Sequence, residues 1–193
     1  MRSLRERNRH NAMRTTQRAA LDLFEAQGFE QVTVAEIAEA VGMAASTIYR
    51  HFETKEAIVL WDEHDASLDA AFVGAFTRHP PLKAIRTVFV DELGPRYEDD
   101  LEFQLRRVQY IYATEAVHLA AGEATYRDTI ELSDGLEQVL SGPNRHAAPI
   151  LAGAAMAALD AAFDRWQQAD GKTPLAELIA ESFDALSSLD ALR

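Results

Sequence analysis

Apolar residues recur along this chain at every third or fourth position, which is the spacing of one face of an α-helix. The first such stripe predicts a helix from about Ser3 to Gln27, with Gly28 as its C-terminal stop. No segment shows the sustained alternation of apolar and polar residues that is typical of a β-strand. We therefore expect an all-α fold.

Two short helices follow, joined by a turn that contains a glycine. Thr33 and Glu36 form a capping-box pattern, so the first of the two is expected to start at Val34 and to end at Gly42. The second is expected over Ala45–Phe52. Two short helices joined by a tight turn make a helix-turn-helix arrangement.

The pattern stays helical beyond this point. Thr54 is expected to cap a long helix that begins near Lys55 and continues as far as Pro80. Gly94 and Pro95 are expected to end the helix that comes after it. The further helices are expected at about 82–93, 99–119, 123–140, 145–169 and 174–192.

Charge is divided unevenly along the chain. The whole chain carries 19 Lys and Arg against 31 Asp and Glu, a net charge of −12, which argues against general polyanion binding. Residues 1–60 are neutral, with 8 basic and 8 acidic side chains, and residues 1–18 hold six arginines and one glutamate. Only the N-terminal part therefore suits contact with nucleic acid, although an ordinary solvated basic helix face has the same composition.

Other classes of protein are disfavoured by what the chain lacks. It contains no cysteine, so disulfides, thiol nucleophiles and cysteine zinc sites are excluded. Its longest uncharged run, Ala147–Leu159, has 13 residues, short of the ~18 needed to span a bilayer. The arginine-rich N-terminus has no apolar stretch of the kind a secretory signal requires. We expect a soluble cytoplasmic protein with no membrane partner, no metal and no cofactor.

The stretch Thr33–Lys55, TVAEIAEAVGMAASTIYRHFETK, resembles the DNA-binding domain of the TetR family of transcriptional regulators in both spacing and residue type. The resemblance covers about residues 10–60. It implies a helix-turn-helix DNA-binding domain over 1–54 and a helical effector-binding and dimerisation domain over 55–193. The implied function is a ligand-responsive repressor that binds a palindromic operator as a homodimer and is released by a small-molecule effector.

The second helix of the helix-turn-helix carries side chains suited to reading DNA. Small and polar residues stand at its N-terminal end, where a recognition helix reaches base edges. Because Ile48 and Phe52 hold its inner face, the residues between them project outward. Thr33 and Lys55 lie at helix starts, which favour phosphate, although capping alone also explains Thr33. The candidate DNA-contacting residues are Thr33, Ala45, Ser46, Thr47, Tyr49, Arg50, His51 and Lys55.

A candidate effector site lies on the helix expected at 99–119, where Phe103, Arg106, Tyr110 and Thr114 share one face. An arginine among aromatic side chains suits an apolar ligand with an anionic head group, but an ordinary core edge with a solvated arginine gives the same pattern. The segment 105–116, LRRVQYIYATEA, resembles the mycofactocin-regulator-like subgroup of the family. That resemblance implies an acyl-CoA-like effector.

The last two helices, at 145–169 and 174–192, are the candidate dimer interface. The first of them is apolar over most of its circumference, and its small residues would let a partner helix approach closely. In TetR-like proteins the last two long helices commonly form a four-helix dimer interface. A core helix of a monomer is the alternative explanation.

Two other functions match weaker patterns. One is a helical interaction module that does not bind DNA. The other is a metal-dependent helical-bundle enzyme, suggested by the Glu-x-x-His unit at Glu115 and His118. A di-iron site needs a second such unit and two further glutamates, and the chain has no second unit, so we expect no enzyme.

Overall fold

The computed structural model describes residues 4–62 and 65–188, and within them the fold is all-α with no strand, as predicted. Ser3, the expected start of the first helix, and Leu192, the expected end of the last, lie outside the described residues. The helices are α1 (Leu4–Gln27), α2 (Val34–Ala40), α3 (Ala45–Tyr49), α4 (Lys55–Leu60), α5 (Asp65–Phe76), α6 (Pro81–Val88), α7 (Gly94–Glu98), α8 (Leu101–Ala113), α9 (Glu115–Val139), α10 (Ala148–Gln168) and α11 (Leu175–Ser187).

The chain divides into two compact units. The first comprises Met1–Glu63 together with Ala113–Ala121, and the second comprises His64–Tyr112 together with Gly122–Arg193. The first unit extends beyond residue 54, the domain boundary expected from the sequence, because α4 packs against α1.

The first unit is built around the apolar faces of α1 to α4. Leu21, Phe24, Ile37, Ile48 and Ile58 are each at most 1% exposed, so every one of these helices contributes to a single core. Burial of such side chains is the main source of stability for helices as short as α3 and α4, which are marginal in isolation.

The helix expected to continue from Lys55 to Pro80 is interrupted, so that prediction was wrong. α4 ends at Leu60, and Trp61 leaves the helix with φ −55° and ψ 128°. The Trp61 ring packs edge-on against Phe52 at 6.3 Å between ring centres. This ending depends on tertiary contacts, which a helical sequence pattern does not record.

The predicted break near residue 121 was also misplaced. α8 ends at Ala113, Thr114 is not helical, and α9 then runs without interruption from Glu115 to Val139. Gly122 is accommodated inside α9, where a glycine weakens a helix without stopping it.

Gly94 and Pro95 begin a helix rather than end one. α6 passes into a π-helical turn, Phe89–Leu93, and α7 starts directly at Gly94. Pro95 lies in the first turn of α7, where its missing N–H has no intrahelical partner to lose.

The second unit is organised around the packing of α10 on α11. Trp166, Leu175 and Ile179 are fully buried between these helices and their neighbours. A 3₁₀ helix, Gly142–Ala147, precedes α10, so the α-helix begins three residues later than expected from Arg145.

By length and composition, one helix among the described residues, Asn144–Gln168, is apolar enough to cross a membrane. A core helix of a globular domain has the same composition, and seven residues of α10 are buried within this chain. The composition is therefore a weak indication of a membrane span.

Candidate functional site

The turn between α2 and α3 is fixed by backbone hydrogen bonds. Gly42, at φ +66°, follows the end of α2 and donates its N–H to Glu39 O at 3.1 Å, while Met43 N–H donates to Ala38 O at 2.9 Å. This is a Schellman motif, and the left-handed backbone at its centre favours glycine. The pair of bonds sets the angle at which the chain enters α3.

Thr33 caps α2 through a complete capping box. Its hydroxyl oxygen accepts from Glu36 N–H at 3.2 Å, and its own N–H donates to Glu36 Oε2 at 2.7 Å. The hydroxyl also donates to Glu36 Oε2 at 2.7 Å. The two bonds to the Glu36 carboxylate, chiefly the one from the Thr33 N–H and then the one from its hydroxyl, lower the pKa of Glu36. The predicted phosphate contact of Thr33 stays a prediction, and capping is the role seen here.

The faces of α3 are those predicted. Ile48 and Phe52 are buried at 1% and 4% exposure, while the Tyr49 side chain is 57% exposed. Ser46 and Arg50 are exposed, and the remaining candidates on this segment, Ala45, Thr47 and His51, are half-buried. The six candidates of this segment are thus exposed or half-buried, while Ile48 and Phe52 are in the core.

The α-helix itself is shorter than the predicted Ala45–Phe52, since α3 ends at Tyr49. His51 N–H and Phe52 N–H both donate to Ile48 O at 2.8 Å, which tightens the last turn and places Phe52 in the core. Thr54 then adopts an extended backbone and accepts from Ala57 N–H at 3.1 Å as the N-cap of α4, as predicted.

The surroundings of His51 disfavour the protonated form of its ring. Burial is the largest cause, and the positive charges of Arg9 and Arg50 add to it, so that the pKa of His51 is lowered. In its neutral form the ring can donate one hydrogen bond and accept another.

Lys55 is held by the loop between α1 and α2. Its Nζ donates to Phe29 O at 2.7 Å and to Val32 O at 3.0 Å, and it lies 4.5 Å above the centre of the Phe29 ring. The phosphate contact predicted for Lys55 stays a prediction.

One residue of this unit was missed by the reasoning from sequence. Gln17 lies inside the apolar stripe of α1, is 5% exposed, and donates from Nε2 to the carbonyl oxygens of Ile58, Val59 and Trp61 at 3.0, 3.1 and 2.7 Å. Its position could have revealed it, because Gln17 is a polar residue within the apolar stripe, four residues after Met13 and four before Leu21.

The candidate effector face is only partly assembled. Phe103 is buried and Arg106 and Tyr110 are half-buried on α8, whereas Thr114 follows the end of that helix. Thr114 instead lines a depression of about 440 Å³ in the first unit, together with Gly28, Phe29, Glu30, Gln31, Glu115, Ala116 and Leu119. The first three remain candidates on one helix face, and Thr114 is not part of that helix.

Arg107, which follows the candidate Arg106 on α8 and was not itself a candidate, is the buried arginine of the pair. Arg107 is 4% exposed, and its Nη2 donates to Tyr97 Oη at 3.0 Å. Its guanidinium carbon lies 5.7 Å from the centre of the Tyr97 ring. The Tyr97 ring packs in turn on Phe163 and Trp166 at 5.0 and 5.7 Å between ring centres, so the guanidinium group lies at the edge of an aromatic cluster.

Tyr112 joins α8 to α10. Its hydroxyl donates to Asp160 Oδ1 at 3.0 Å, and burial, with a smaller contribution from the Asp160 carboxylate, raises the pKa of Tyr112. Three residues earlier on α8, Gln109 donates to Gln167 O at 3.3 Å.

An exposed apolar stripe follows α10 within the second unit. Ile150 is 67% exposed, Ala157 and Ala161 are exposed, and Ala154 between them is half-buried. These positions repeat at intervals of three and four residues and so share one helix face. A neighbouring face of the same helix carries Ala155, Ala158 and Ala162, which are buried in the core of the second unit. We call the four positions Ile150, Ala154, Ala157 and Ala161 the α10 stripe.

Comparison with known proteins assigns both parts of the chain. Residues 18–60 match the family described as bacterial regulatory proteins, tetR family, and residues 79–190 match the MftR C-terminal domain. The chain belongs to the TetR family. This confirms the family predicted from the helix-turn-helix segment, and the second match agrees with the subgroup resemblance noted at 105–116. The matches also support the predicted class of function, a DNA-binding transcriptional regulator.

One curated relative is the HTH-type transcriptional regulator TcmR of Streptomyces glaucescens, which is 38% identical over 103 residues. The alignment covers 51% of this chain, and the chain spans 45% of the length of that relative.

Two solved structures are similar over nearly the whole chain. FadR from Thermus thermophilus, a TetR-family repressor solved in complex with lauroyl-CoA, has a TM-score of 0.55 and 22% identity, and the match covers 94% of this chain and 96% of that one. FadR from Bacillus halodurans, a fatty acid degradation regulator, has a TM-score of 0.54 and 20% identity, with 90% and 93% covered. At this level of identity the likeness concerns the fold.

Proposed function

We propose that this chain is a ligand-responsive transcriptional repressor of the bacterial cytoplasm that binds a palindromic operator as a homodimer. The observation that carries the proposal is the surface of α3, where small, polar and basic side chains are exposed while Ile48 and Phe52 anchor the helix in the core. The membership of the chain in a family of regulatory proteins supports it. Since the named relatives are regulators, we propose no catalytic role.

The DNA-facing side chains divide by chemistry. Ser46 and Thr47 can donate to or accept from base edges, and the Ala45 methyl group can contact a thymine methyl. Tyr49, Arg50 and His51 are placed to reach bases or phosphates beside them. Thr33, at the N-terminus of α2, is proposed to reach phosphate after exchanging one bond of its capping box.

Two-fold symmetry is proposed to come from α10 and α11. The α10 stripe consists mainly of small side chains, which let the backbones of two helices approach closely, and its exposure in one subunit leaves apolar surface for a second copy. A two-fold dimer would present two α3 helices to successive major grooves, ~34–36 Å apart.

The effector is proposed to bind in the second unit, with Phe103, Arg106 and Tyr110 on α8 among its contacts. An apolar, acyl-CoA-like effector is consistent with the match to the MftR C-terminal domain and with the lauroyl-CoA held by the similar Thermus thermophilus FadR. The basic side chain of Arg106 would face the anionic part of such a ligand. Thr114 lies beyond the end of α8 and is left out of the proposed site.

Selection of bound duplexes from random DNA tests the DNA-binding part of the proposal. We expect a palindromic consensus with half-sites about one helical turn apart, and a binding constant that falls with salt on a log–log plot. Binding that shows a salt dependence but no preferred sequence would contradict the repressor proposal. A chain that binds no duplex at all would favour the helical interaction module instead.

Lauroyl-CoA is a direct probe of the effector part. If it is of the right class, its addition lowers operator affinity, and by linkage the operator lowers the affinity for lauroyl-CoA by the same factor. Equal operator affinity with and without saturating lauroyl-CoA would exclude this ligand class while leaving DNA binding intact.

A further inference from the structure

We propose that Gln17 and Lys55 are positioning residues for DNA binding: they fix the two ends of α4 and thereby the orientation of α2 and α3, and neither acts through charge on DNA. This inference rests on the proposed function. It gives Lys55 a role different from the phosphate contact expected from its place at a helix start.

The ammonium group of Lys55 is occupied by the protein. Two of its three N–H donors are bonded to Phe29 O and Val32 O, and the group lies over the Phe29 ring. Phe29 and Val32 are 6% and 1% exposed, so the backbone groups that Lys55 satisfies belong to a loop anchored in the core. Val32 immediately precedes Thr33, the N-cap of α2, and Lys55 therefore ties the start of α4 to the start of α2.

Gln17 performs the corresponding task at the other end of α4. The last four carbonyl groups of any α-helix lack intrahelical donors, and here those of Ile58 and Val59 accept from the Gln17 amide. The carbonyl of Trp61, the C-cap residue, accepts from the same amide, so one of its two N–H groups is shared between two acceptors. The amide is buried and comes from the middle of α1. One side chain of α1 thus replaces the helical continuation that the sequence predicted.

α4 has six residues, Lys55–Leu60, too few to hold a fixed direction by its own hydrogen bonds. Held at both ends, it fixes the preceding segment, in which Phe52 lies against Trp61 and Ile48 lies in the core. The exposed face of α3 is continuous with that segment. Loss of the hydrogen bonds of either Lys55 or Gln17 should therefore disturb several DNA contacts together without removing a phosphate contact.

The test compares two variants that each remove one positive charge, Lys55→Met and Arg50→Met, on the full-length protein with its selected duplex. For Lys55→Met we expect a lower urea midpoint without DNA and an operator affinity lower by about tenfold or more, because two buried-loop carbonyls lose their donor. The slope of log K against log salt should stay that of the wild type. For Arg50→Met the slope should fall by about one while the urea midpoint is unchanged.

Gln17→Met provides a second, uncharged variant, with Gln27→Met as its control at an exposed position of the same helix. Gln17→Met should lower the urea midpoint and operator affinity at an unchanged salt slope, and Gln27→Met should change neither. If Gln17→Met does not fold, the Lys55→Met measurements decide alone.

Two results would overturn the inference. A salt slope that falls by about one in Lys55→Met would make this lysine a phosphate contact. An unchanged urea midpoint in Lys55→Met would show that its bonds to the loop do not position α4. Because the urea midpoint is measured without DNA, it remains decisive even if the wild-type chain binds no duplex and the proposed function fails.

Discussion

At the scale of single residues, the position of a residue around the axis of α3 decides whether its side chain packs in the core or is exposed. Adjacent positions are separated by about 100° around a helix axis, so Ile48 can be buried at 1% exposure while its neighbour Tyr49 is 57% exposed. Reasoning from sequence could assign these sides because Ile48 and Phe52, four residues apart, define the inner face. It could not show that the ammonium group of Lys55 is already bonded to backbone carbonyls within the protein.

The exposure of Tyr49 makes it a selective test of DNA recognition. Tyr49→Ala removes a side chain that contributes little to the core, so the free energy of unfolding should change by less than about 0.5 kcal/mol. Operator affinity should fall by about 1–3 kcal/mol if the ring or hydroxyl meets a base. Fluorescence anisotropy on duplexes substituted at single positions checks both the loss and its sequence specificity. Wild-type affinity on every duplex would remove Tyr49 from the DNA surface.

His51 predicts a dependence of DNA binding on pH. In the free protein its pKa is lowered from the ordinary value of about 6.5, chiefly by burial and then by Arg9 and Arg50. A phosphate close to the ring would raise that pKa, so binding would take up a proton and affinity would rise as pH falls from 7.5 to 6, by at most about tenfold per pH unit. His51→Gln should flatten this dependence, and an equally steep profile in His51→Gln would assign it to another group.

The lowered pKa of His51 also makes the free energy of unfolding depend on pH, and here the effect of falling pH is unfavourable. Because the unfolded chain protonates His51 first, this side chain lowers stability as pH falls below about 6.5 and has no such effect at higher pH. The free energy of unfolding of His51→Gln should therefore decrease less than that of the wild type between pH 7 and pH 5.5, as measured by urea denaturation.

At the scale of helices, the ends separate into those encoded locally and those imposed by packing. The end of α2 was predictable because Gly42 supplies a left-handed backbone, and its start was predictable because Thr33 and Glu36 satisfy each other. The ends of α4 and α8 were not, since neither Trp61 nor Thr114 belongs to a residue type that stops a helix by its own chemistry.

Gly94 shows why a helix can begin at a residue expected to end one. An added Cβ at this position would lie 2.6 Å from Ala176 Cβ, 2.7 Å from its Cα and 2.9 Å from its N. The start of α7 therefore lies directly against the start of α11, and glycine is required there by close approach rather than by its backbone angle.

Gly94→Ala should accordingly destabilise the protein by about 1–3 kcal/mol, because the backbone of α11 must move to admit the methyl group. Gly122→Ala is the matched control, since Gly122 lies within α9 with nothing within 4 Å of an added Cβ. That change should stabilise the helix by about 0.5–1 kcal/mol. Urea denaturation of both variants checks the contrast, and equal effects would show that α7 and α11 are not in tight contact in solution.

At the scale of the whole molecule, charge and apolar surface indicate which parts of the chain meet which partners. Residues 61–193 carry 11 basic and 23 acidic side chains, which accounts for the full charge of −12, while residues 1–60 are neutral. The acidic part should repel phosphate, so DNA contact is restricted to the first 60 residues of each copy. The remaining apolar surface of α10 is then available to another protein chain.

Ala157→Glu tests whether the α10 stripe joins two copies. A charge placed at the centre of an apolar interface must be desolvated, so we expect a dimer in the wild type and a monomer in the variant by sedimentation. Ala26→Glu, at an exposed alanine of α1, should leave the dimer intact. Operator affinity should fall sharply in Ala157→Glu because two half-sites are no longer bound together. A dimer that persists in Ala157→Glu would place the interface elsewhere.

The sequence by itself determined the all-α class, the helix-turn-helix and its family, since these follow from periodicity, caps and a contiguous motif that short-range chemistry encodes. Tertiary structure alone decided where α4 stops, that Arg107 rather than Arg106 is buried, and that Gln17 and Lys55 face inward to backbone carbonyls. Such contacts join residues 23 or more positions apart. A carbonyl at a helix end can be satisfied by water, by the next turn or by a distant amide, and only the packing of the whole chain selects among these donors.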